Sequence, residues 1–370
     1  MSQHKAPYKI LIAGGGTGGH IFPAVAIANA LRKRMPTIQI QFVGAKGKME
    51  MEKVPQAGFA ITGLDIAGFN RSSLLKNISL PWKLLKSFFQ VKNILRDFQP
   101  DAVIGVGGYS SFPVLRGAQI KGIPTFIHEA NSFAGKSNQL LAKRAVNIFV
   151  AHDQMQNFFP SGKLIVSGNP VRESIVSANI SKDQAVSVFG LDASKPVVFV
   201  TGGSLGAKGI NDAVALAIPA LESHGVQLIW QTGKQYAEKA KVLTENKIGM
   251  WTGEFVSNME TAYAAADIVV SRSGAMAIAE LCIVKKPTIF VPFPFAAEDH
   301  QTVNAKILVE REAAMLVKDV EATTQLLPAI LDLIQNTSKQ EIFKKNMGML
   351  AIVDADQRVA QSILHYLDNQ

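Results

Sequence analysis

Cysteine is nearly missing from this sequence. Cys282 is the single cysteine among 370 residues, which excludes a disulfide framework and fits a reducing compartment. The first residues, MSQHKAPYK, lack the apolar run that a signal peptide needs, so we expect none. The chain also has no stretch of about 18 uninterrupted apolar residues, and therefore no transmembrane helix is predicted.

The sequence also lacks the spacings of His, Cys, Asp and Glu that hold metal ions. The richest cluster is Glu298, Asp299 and His300, in VPFPFAAEDHQTVNA, and its spacing matches no ligand set. We therefore predict neither a metal nor a bound cofactor.

The sequence has fewer acidic than basic residues. Lys and Arg number 38 against 29 Asp and Glu, so the net charge is +9. That excess suits an anionic partner: a nucleic acid, an anionic membrane or a phosphorylated substrate. No RNA-binding motif is present, and the aromatic residues do not follow a strand alternation, so no nucleic acid partner is predicted.

Residues 70–98 combine large apolar side chains with lysines, in the run NRSSLLKNISLPWKLLKSFFQVKNILRDF. One interpretation is a buried helix whose lysines face water. The other is a surface that lies on anionic lipid, because aromatic residues flanked by lysines are typical of peripheral membrane proteins. The sequence alone leaves both open.

Short β-branched runs alternate with longer helical patterns, which indicates a parallel α/β architecture. The design strand, glycine turn, helix at residues 8–31 restarts at 196 in PVVFVTGGSLGAKGINDAVALA. We predict two Rossmann-like domains with parallel sheets facing across a cleft, over residues 1–171 and 172–354. The final amphipathic helix, about 355–370, is expected to pack back on the first domain.

The stretch GGGTGGH at residues 14–20 matches the G-x-G-x-x-G dinucleotide pattern. That site also needs an acidic residue at the end of the second strand, but Val43–Ala45 stand there and Glu50 and Glu52 come later. No Gly-Lys-Ser/Thr follows, so a P-loop is excluded too. What remains is either a tight structural turn or a loop that presents helix N–H groups to a sugar phosphate.

Other polar turns are predicted to follow strands of the two sheets. Tyr109 follows one strand of the first domain and Glu129 ends another, so both should lie near the first glycine loop. In the second domain, Ser273 is placed to cap a helix, and Glu280 lies two turns further along the same face.

The motifs GGGTGGHIFPAVAIA, GVGGYSSFP, HEANSFAG, GNPVR, GGSLGAKGIN and RSGAMAIAEL…PFPFAAEDHQTVNA occur together and in this order. The chain thereby resembles, over essentially its whole length, the GT-B glycosyltransferases of family 28 that complete lipid II in peptidoglycan synthesis. The resemblance implies inverting transfer of N-acetylglucosamine from UDP to the C4 hydroxyl of N-acetylmuramoyl pentapeptide on undecaprenyl diphosphate (lipid I). It also implies chemistry without a metal, a lipid acceptor in the N-domain and a peripheral location on the cytoplasmic face of the inner membrane.

The resemblance implies residues for the diphosphate and the sugar. Arg172 and Ser204 match contacts to the donor diphosphate, whereas Asn131 and Gln301 match contacts to the sugar. His300 stands where some relatives have glutamine. Backbone contacts near the sugar and phosphate are implied for Thr17, Gly18 and Gly19.

The nucleoside contacts are implied for the second domain. Val256 matches an aliphatic position whose backbone binds uracil, and Glu280 matches the carboxylate that binds the ribose. Ala275 and Met276 are expected to line the nucleotide near a helix start.

The transfer needs a base for the acceptor hydroxyl. His20 is our candidate, because a histidine titrates near neutrality and a helix N-terminus favours its neutral form. Glu129 is the competing carboxylate, and Tyr109 is placed on the acceptor side. Two other functions stay open: an epimerase of UDP-N-acetylglucosamine or another GT-B nucleotide-sugar enzyme, and a non-catalytic relative that binds nucleotide sugars.

Overall fold

The computed structural model of the chain describes residues 7–66, 80–296 and 299–370. The chain divides into two compact units. Unit 1 comprises the described residues of Met1–Arg172 together with Asp354–Gln370, and unit 2 comprises those of Glu173–Val353.

Unit 1 is built on a parallel sheet of seven strands in the order β3-β2-β1-β4-β5-β6-β7. The strands are β1 Lys9–Ala13, β2 Gln39–Ala45, β3 Ala60–Leu64, β4 Ala102–Gly105, β5 Thr125–Glu129, β6 Ile148–Val150 and β7 Leu164–Val166. The helices are α1 Gly18–Arg34, α2 Glu50–Gln56, α3 Leu80–Phe98, α4 Ser111–Ile120, α5 Lys136–Ala142 and, from the end of the chain, α15 Ala355–Asp368. The order 3-2-1-4-5-6 of the first six is that of a Rossmann fold.

The strands of unit 1 are apolar on both faces because helices cover both faces, as parallel sheets require. Side chains of one parity, such as Ile10 and Phe126, pack with α1 and α15. Side chains of the other parity, such as Leu11 and Ile127, pack with α3, α4 and α5. Polar residues at the strand ends therefore emerge at the rim of a rigid core.

The C-terminal helix α15 packs on α1 in unit 1. Its buried stripe includes Val359, Ile363 and Leu367. At the end of the helix, the Tyr8 hydroxyl donates to the carbonyl oxygen of Leu367 over 3.0 Å and to Asp368 Oδ1 over 2.9 Å. The amphipathic pattern of the last residues thus completes the core of the first sheet.

Unit 2 contains a second parallel sheet, of six strands in the order β10-β9-β8-β11-β12-β13. The strands are β8 Val197–Thr201, β9 Gln227–Gln231, β10 Met250–Gly253, β11 Ile268–Ser271, β12 Thr288–Phe290 and β13 Met315–Leu316. The helices are α6 Glu173–Val176, α7 Lys182–Val188, α8 Lys208–Ser223, α9 Ala237–Thr244, α10 Met259–Ala265, α11 Ala275–Val284, α12 His300–Glu310, α13 Ala322–Gln335 and α14 Thr337–Leu350. The prediction of two Rossmann-like domains with parallel sheets is confirmed.

In the part of the chain that the structure describes, no helix combines the length and apolar character needed to cross a bilayer. Of the basic and apolar segment 70–98, residues 70–79 lie outside the described ranges, and α3 carries the remainder.

Candidate active site

Two polar turns meet at the carboxyl end of the sheet in unit 1. The turn after β4 lies directly against the first glycine loop, since a Cβ atom at Gly108 would overlap the carbonyl oxygen of Gly15. The Ser111 hydroxyl joins the two turns by donating to the carbonyl oxygens of Ala13 (2.7 Å) and Gly107 (2.9 Å). The turn after β4 is therefore in contact with the first glycine loop, as its strand position led us to expect.

His20 lies in the first helical turn of α1, and its ring faces the loop after β4. Its Nδ1 is 3.1 Å from the carbonyl oxygen of Gly15 and 3.4 Å from Oγ1 of Thr17. A carbonyl oxygen only accepts, so Nδ1 carries the hydrogen, and Nε2 of the neutral ring has the lone pair. The ring packs against Gly107, where a Cβ atom would lie 2.8 Å from Nε2. This tautomer is the one that can take a proton at Nε2.

Glu129 ends β5 as predicted, but its carboxylate is occupied by its own loop. Oε1 accepts from the backbone N–H of Asn131 (3.1 Å), and Oε2 accepts from the N–H of Gly135 (3.2 Å) and from Nδ2 of Asn138 (2.9 Å). The side chain is 6% exposed. A carboxylate bound in this way organises the loop that carries Asn131, and His20 is the better placed of the two candidate bases.

His128, one residue earlier in β5, is fully buried. Burial lowers its pKa to about 4, against an opposing contact with the Gly168 backbone, and the nearby His20 lowers it further. His128 is therefore uncharged near neutral pH.

Two further predicted residues lie near the rim of unit 1. Tyr109 precedes α4 and is 52% exposed. Arg172 belongs to unit 1, and its guanidinium carbon lies 4.7 Å from the ring centroid of Phe22 in α1.

Thr17, Gly18 and Gly19 form the start of α1, with Thr17 as the N-cap residue and no side-chain cap. Because the first N–H groups of a helix lack partners within the helix, they can bind an anion here.

In unit 2 the second glycine loop runs from β8 to α8 and exposes Ser204. Its turn presses against the loop after β9, since a Cβ atom at Gly206 would overlap the carbonyl oxygen of Thr232. The N-cap residue of α8, Ala207, provides no side-chain cap. The N-terminus of α8 thus has the same form as that of α1, which suits a phosphate group.

Glu280 lies on α11 and is 8% exposed. Its Oε2 accepts a hydrogen bond of 3.0 Å from the hydroxyl of Tyr263, which lies on α10. The Tyr263 ring is itself fixed by an edge-on contact with Phe199 in β8, with centroids 5.8 Å apart. Ala275 and Met276 open the same helix. A buried carboxylate with a neutral donor on one oxygen is well suited to bind hydroxyl groups.

The start of α12 is tied to the turn after β11. The hydroxyl of Ser273 donates to the carbonyl oxygen of Gln301 (2.8 Å), and Nδ2 of Asn304 donates to the carbonyl oxygen of Ser273 (3.1 Å). Our expectation that Ser273 caps α11 was wrong: Gly274 is the N-cap residue, and the hydroxyl reaches the neighbouring helix instead. Gln301 accepts from the Phe293 N–H at Oε1 (2.9 Å), which leaves Nε2 as its donor group. His300 is the first residue of α12.

The backbone N–H of Val256 donates to Oε1 of Gln231 over 2.9 Å. Gln231 in turn donates from Nε2 to Oγ1 of Thr201 (3.1 Å) and to the carbonyl oxygen of Gly203 (3.0 Å). Sequence reasoning did not identify Gln231, because a glutamine at a strand end carries no signal of its own. Because the Val256 N–H is already bonded to Gln231, the backbone group of Val256 that suits a contact with a nucleobase is its carbonyl oxygen.

Arg272 lies in the turn directly after β11. In the structure its Nη1 donates to the carbonyl oxygens of Val291 and Pro292, each over 2.9 Å, and pairs with the Asp319 carboxylate. Burial lowers the pKa of the guanidinium, and the bond to Asp319 opposes that effect. The Phe293 ring lies 5.5 Å away. Arg272 thus holds together the loops after β11 and β12, beside Gln301.

Metal ligation has no candidate in the described ranges, where no three His, Cys, Asp or Glu side chains are grouped to hold an ion. Glu298, from the cluster noted in the sequence, lies outside these ranges.

The two units correspond to two known domains. The glycosyltransferase family 28 N-terminal domain matches residues 10–150, and the C-terminal domain of that family matches residues 197–359. Curated relatives from Phocaeicola vulgatus and Cytophaga hutchinsonii are each 46% identical to this chain. The matches cover 97% of this chain and 96% of the first relative, and 100% of this chain and 99% of the second. The chain belongs to glycosyltransferase family 28.

The names of these relatives agree with the resemblance that the sequence motifs of this family 28 member indicated. Both relatives are named UDP-N-acetylglucosamine–N-acetylmuramyl-(pentapeptide) pyrophosphoryl-undecaprenol N-acetylglucosamine transferase. MurG of Acinetobacter baumannii has a similar structure, with a TM-score of 0.76 and 28% identity, covering 97% of this chain and 100% of MurG. A UDP-N-acetylglucosamine 2-epimerase from Neisseria meningitidis shares the fold at a TM-score of 0.71 but is only 17% identical, over 96% of this chain and all of that one.

Proposed function

We propose that this protein transfers N-acetylglucosamine from UDP-N-acetylglucosamine to the C4 hydroxyl of the N-acetylmuramoyl pentapeptide carried by undecaprenyl diphosphate. The observation that carries the proposal is the 46% identity, over 97% of this chain and 96% of the relative, to an enzyme with that name. The chemistry needs a base, a stabilised leaving group and a site for the nucleoside, and described residues fit each need.

The base is His20. Its Nε2 accepts the proton of the acceptor C4 hydroxyl while Nδ1–H stays on the carbonyl oxygen of Gly15. The hydroxyl oxygen forms a bond to the anomeric carbon from the face opposite UDP. The bond from that carbon to the phosphate oxygen breaks, its electron pair leaves on UDP, and the configuration inverts.

The leaving diphosphate gains negative charge as that bond breaks, so it needs positive potential. Arg172 supplies a full charge, and its guanidinium is held over the Phe22 ring. Ser204 and the N-terminus of α8 supply a hydroxyl and backbone N–H groups.

The nucleoside binds to unit 2. The Glu280 carboxylate, which Tyr263 orients, accepts hydrogen bonds from the ribose hydroxyls. The Val256 carbonyl oxygen accepts a hydrogen bond from uracil N3–H. Ala275 and Met276 line the nucleotide at the start of α11.

The sugar and the acceptor complete the assignment. Gln301 donates from Nε2 to the donor sugar, Asn131 contacts the same sugar, and the N–H groups at the start of α1 bind beside it. His300 adjoins Gln301 at the start of α12, and the exposed Tyr109 faces the acceptor.

The protein acts, in this proposal, at the cytoplasmic face of the inner membrane, where its α3 lies on anionic lipid. On α3, Trp82 is 75% exposed and Phe89 is 62% exposed. Together with Leu85, Lys83 and Lys86 they line a depression of about 390 Å³. Large apolar side chains rimmed by lysines favour the interfacial interpretation over a buried helix, because burying them in lipid removes them from water while the lysines meet anionic headgroups.

The deciding experiment uses UDP-N-acetylglucosamine labelled in the sugar, incubated with and without a lipid I analogue. We expect labelled disaccharide-lipid only when the acceptor is present. Labelled N-acetylmannosamine or another product of UDP-N-acetylglucosamine formed without acceptor would instead indicate an epimerase or a hydrolase. Binding of the donor with no product under either condition would indicate a non-catalytic relative.

A further inference from the structure

One peptide group of the first glycine loop is hydrogen-bonded at both ends. The Gly16 N–H donates to Oε2 of Glu50 over 2.8 Å. The carbonyl oxygen of the same peptide, that of Gly15, accepts from Nδ1 of His20 over 3.1 Å. The Glu50 carboxylate and the His20 ring are thus connected through a single amide.

The loop is shaped to hold this carboxylate. Glu50 is 1% exposed, and its Oε1 accepts from the backbone N–H of Ala45, at the end of β2, over 2.9 Å. A Cβ atom at Gly44 would lie 2.5 Å from Cγ of Glu50, and one at Gly15 would overlap the carboxyl group. Glycine at both positions makes the room, so the arrangement is a built site and not a chance contact.

The position of Glu50 differs from our expectation that the end of β2 has no carboxylate. Only four residues separate β2 from α2, and Glu50, the first residue of α2, reaches back to the strand end. Its Oε2 accepts from the Gly16 N–H of the glycine loop, a group that would otherwise face a ligand phosphate in a dinucleotide fold. The side chain of Glu50 therefore occupies this side of the loop.

The bonding has a chemical consequence for His20. A charged acceptor on the N–H end of an amide polarises the group, and its carbonyl oxygen becomes a stronger acceptor. That favours the tautomer with hydrogen on Nδ1 and stabilises the imidazolium that forms when Nε2 takes a proton. In the serine proteases a buried carboxylate bonds the histidine directly for the same two purposes; here a peptide lies between them.

We propose that Glu50 is a positioning residue that acts through the Gly15–Gly16 peptide to fix the tautomer and raise the basicity of His20. This rests on the proposed role of His20 as the base. Burial lowers the pKa of the neighbouring His128 to about 4, so that ring is uncharged near neutral pH, and the charge that acts on His20 through the loop peptide is that of Glu50.

The test compares Glu50→Gln with Glu52→Gln in the full-length protein. Glu52 lies on the same helix, but its side chain is exposed and pairs with Lys53. For Glu50→Gln we expect kcat to fall roughly 10- to 100-fold, as when a partner that orients a functional ligand is removed. The acidic limb of the pH profile should move to lower pH, because the imidazolium loses a stabilising negative charge. KM for the donor should stay within about twofold, and Glu52→Gln should match the wild type.

A second measurement does not depend on turnover. In protein with ¹⁵N-labelled histidine, the wild-type His20 ring should be protonated at Nδ1 when neutral. Glu50→Gln should lower its titration midpoint and populate the other tautomer. A wild-type ring with hydrogen on Nε2 overturns the proposal without any variant, which covers the case of a variant that does not fold. So does a Glu50→Gln protein with an unchanged midpoint, tautomer and pH profile.

The two proposals can fail separately. If Glu50→Gln changes the His20 midpoint and tautomer while His20→Ala keeps near-normal turnover, Glu50 does position the ring, and the base is another group. If His20→Ala abolishes turnover but Glu50→Gln only raises both KM values, with no change at the ring, His20 remains the base and the role of Glu50 is overturned.

Discussion

The hydroxyl of Tyr263 lies 3.0 Å from Oε2 of Glu280, and both side chains are buried between α10, α11 and β8. A carboxylate removed from water keeps its charge only when it has donors, and a tyrosine donor both stabilises the charge and fixes the rotamer. The pair therefore holds the Glu280 carboxylate in a fixed orientation. If that carboxylate binds the ribose, the two residues should affect the donor and not the acceptor.

Glu280→Ala should raise KM for UDP-N-acetylglucosamine much more than KM for the lipid acceptor, with the loss of hydrogen bonds from a charged group amounting to about 1.5–3 kcal/mol. Tyr263→Phe keeps the ring contact with Phe199 and should have a smaller effect of the same kind. A donor that lacks the ribose 2′-hydroxyl should reduce both effects. Tyr236→Phe, which removes a hydrogen bond to Asp212 on α8, is the matched control. Equal changes in the two KM values would exclude the ribose role.

His20→Ala should reduce kcat about 10²- to 10⁴-fold, the usual contribution of a general base. The fall in kcat at acidic pH should also be absent in this variant. His20→Asn should not restore the rate, because an amide cannot take up a proton. Glu129→Gln should instead act mainly through the segment after β5, since two loop N–H groups, those of Asn131 and Gly135, and the Asn138 side chain of α5 donate to that carboxylate. A pH profile that is unchanged in His20→Ala would remove the base assignment.

Much of the fold followed from local pattern. Runs such as VVFVT and TFIHE are rich in β-branched and aromatic residues and are buried throughout, and each forms an inner parallel strand, β8 and β5. The glycine turns and the helices after them also lie where their residues predicted. Such features depend on neighbours in sequence, so a sequence is enough to find them.

The side-chain links inside the site were beyond that kind of reasoning. Gln231 meets Val256 from 25 residues away, and Arg272 pairs with Asp319 across two strand connections. Glu50 was rejected as a strand-end carboxylate on its position in the sequence, although its side chain returns to the strand end. Each of these contacts depends on where two loops meet in space, which no single stretch of sequence encodes.

The exposed face of α3 should determine membrane association. Replacing Trp82, Leu85 and Phe89 with serine removes three large side chains from that face, and we expect release from vesicles that contain an anionic phospholipid. Replacing Leu216, Val242 and Ile248 with serine is the control, because these side chains are exposed in unit 2, and it should leave vesicle binding unchanged. Wild-type binding should weaken as salt rises, because the lysines of α3 contribute electrostatically. Full vesicle binding by a folded α3 variant would show that another surface holds the protein to lipid.

His128 should make unit 1 sensitive to acid. Its pKa is about 4 in the folded protein and about 6.5 in an unfolded chain, so between these values the unfolded state binds more protons. Stability is therefore fully present above pH 6.5 and is lost as pH falls toward 4, by up to roughly 3 kcal/mol. Urea unfolding followed at pH 7.0, 6.0 and 5.0 measures that slope. His128→Leu, which cannot be protonated, should flatten it over this window, whereas His224→Leu, at an exposed position after α8, should not. An identical slope in His128→Leu would assign the acid sensitivity to other groups.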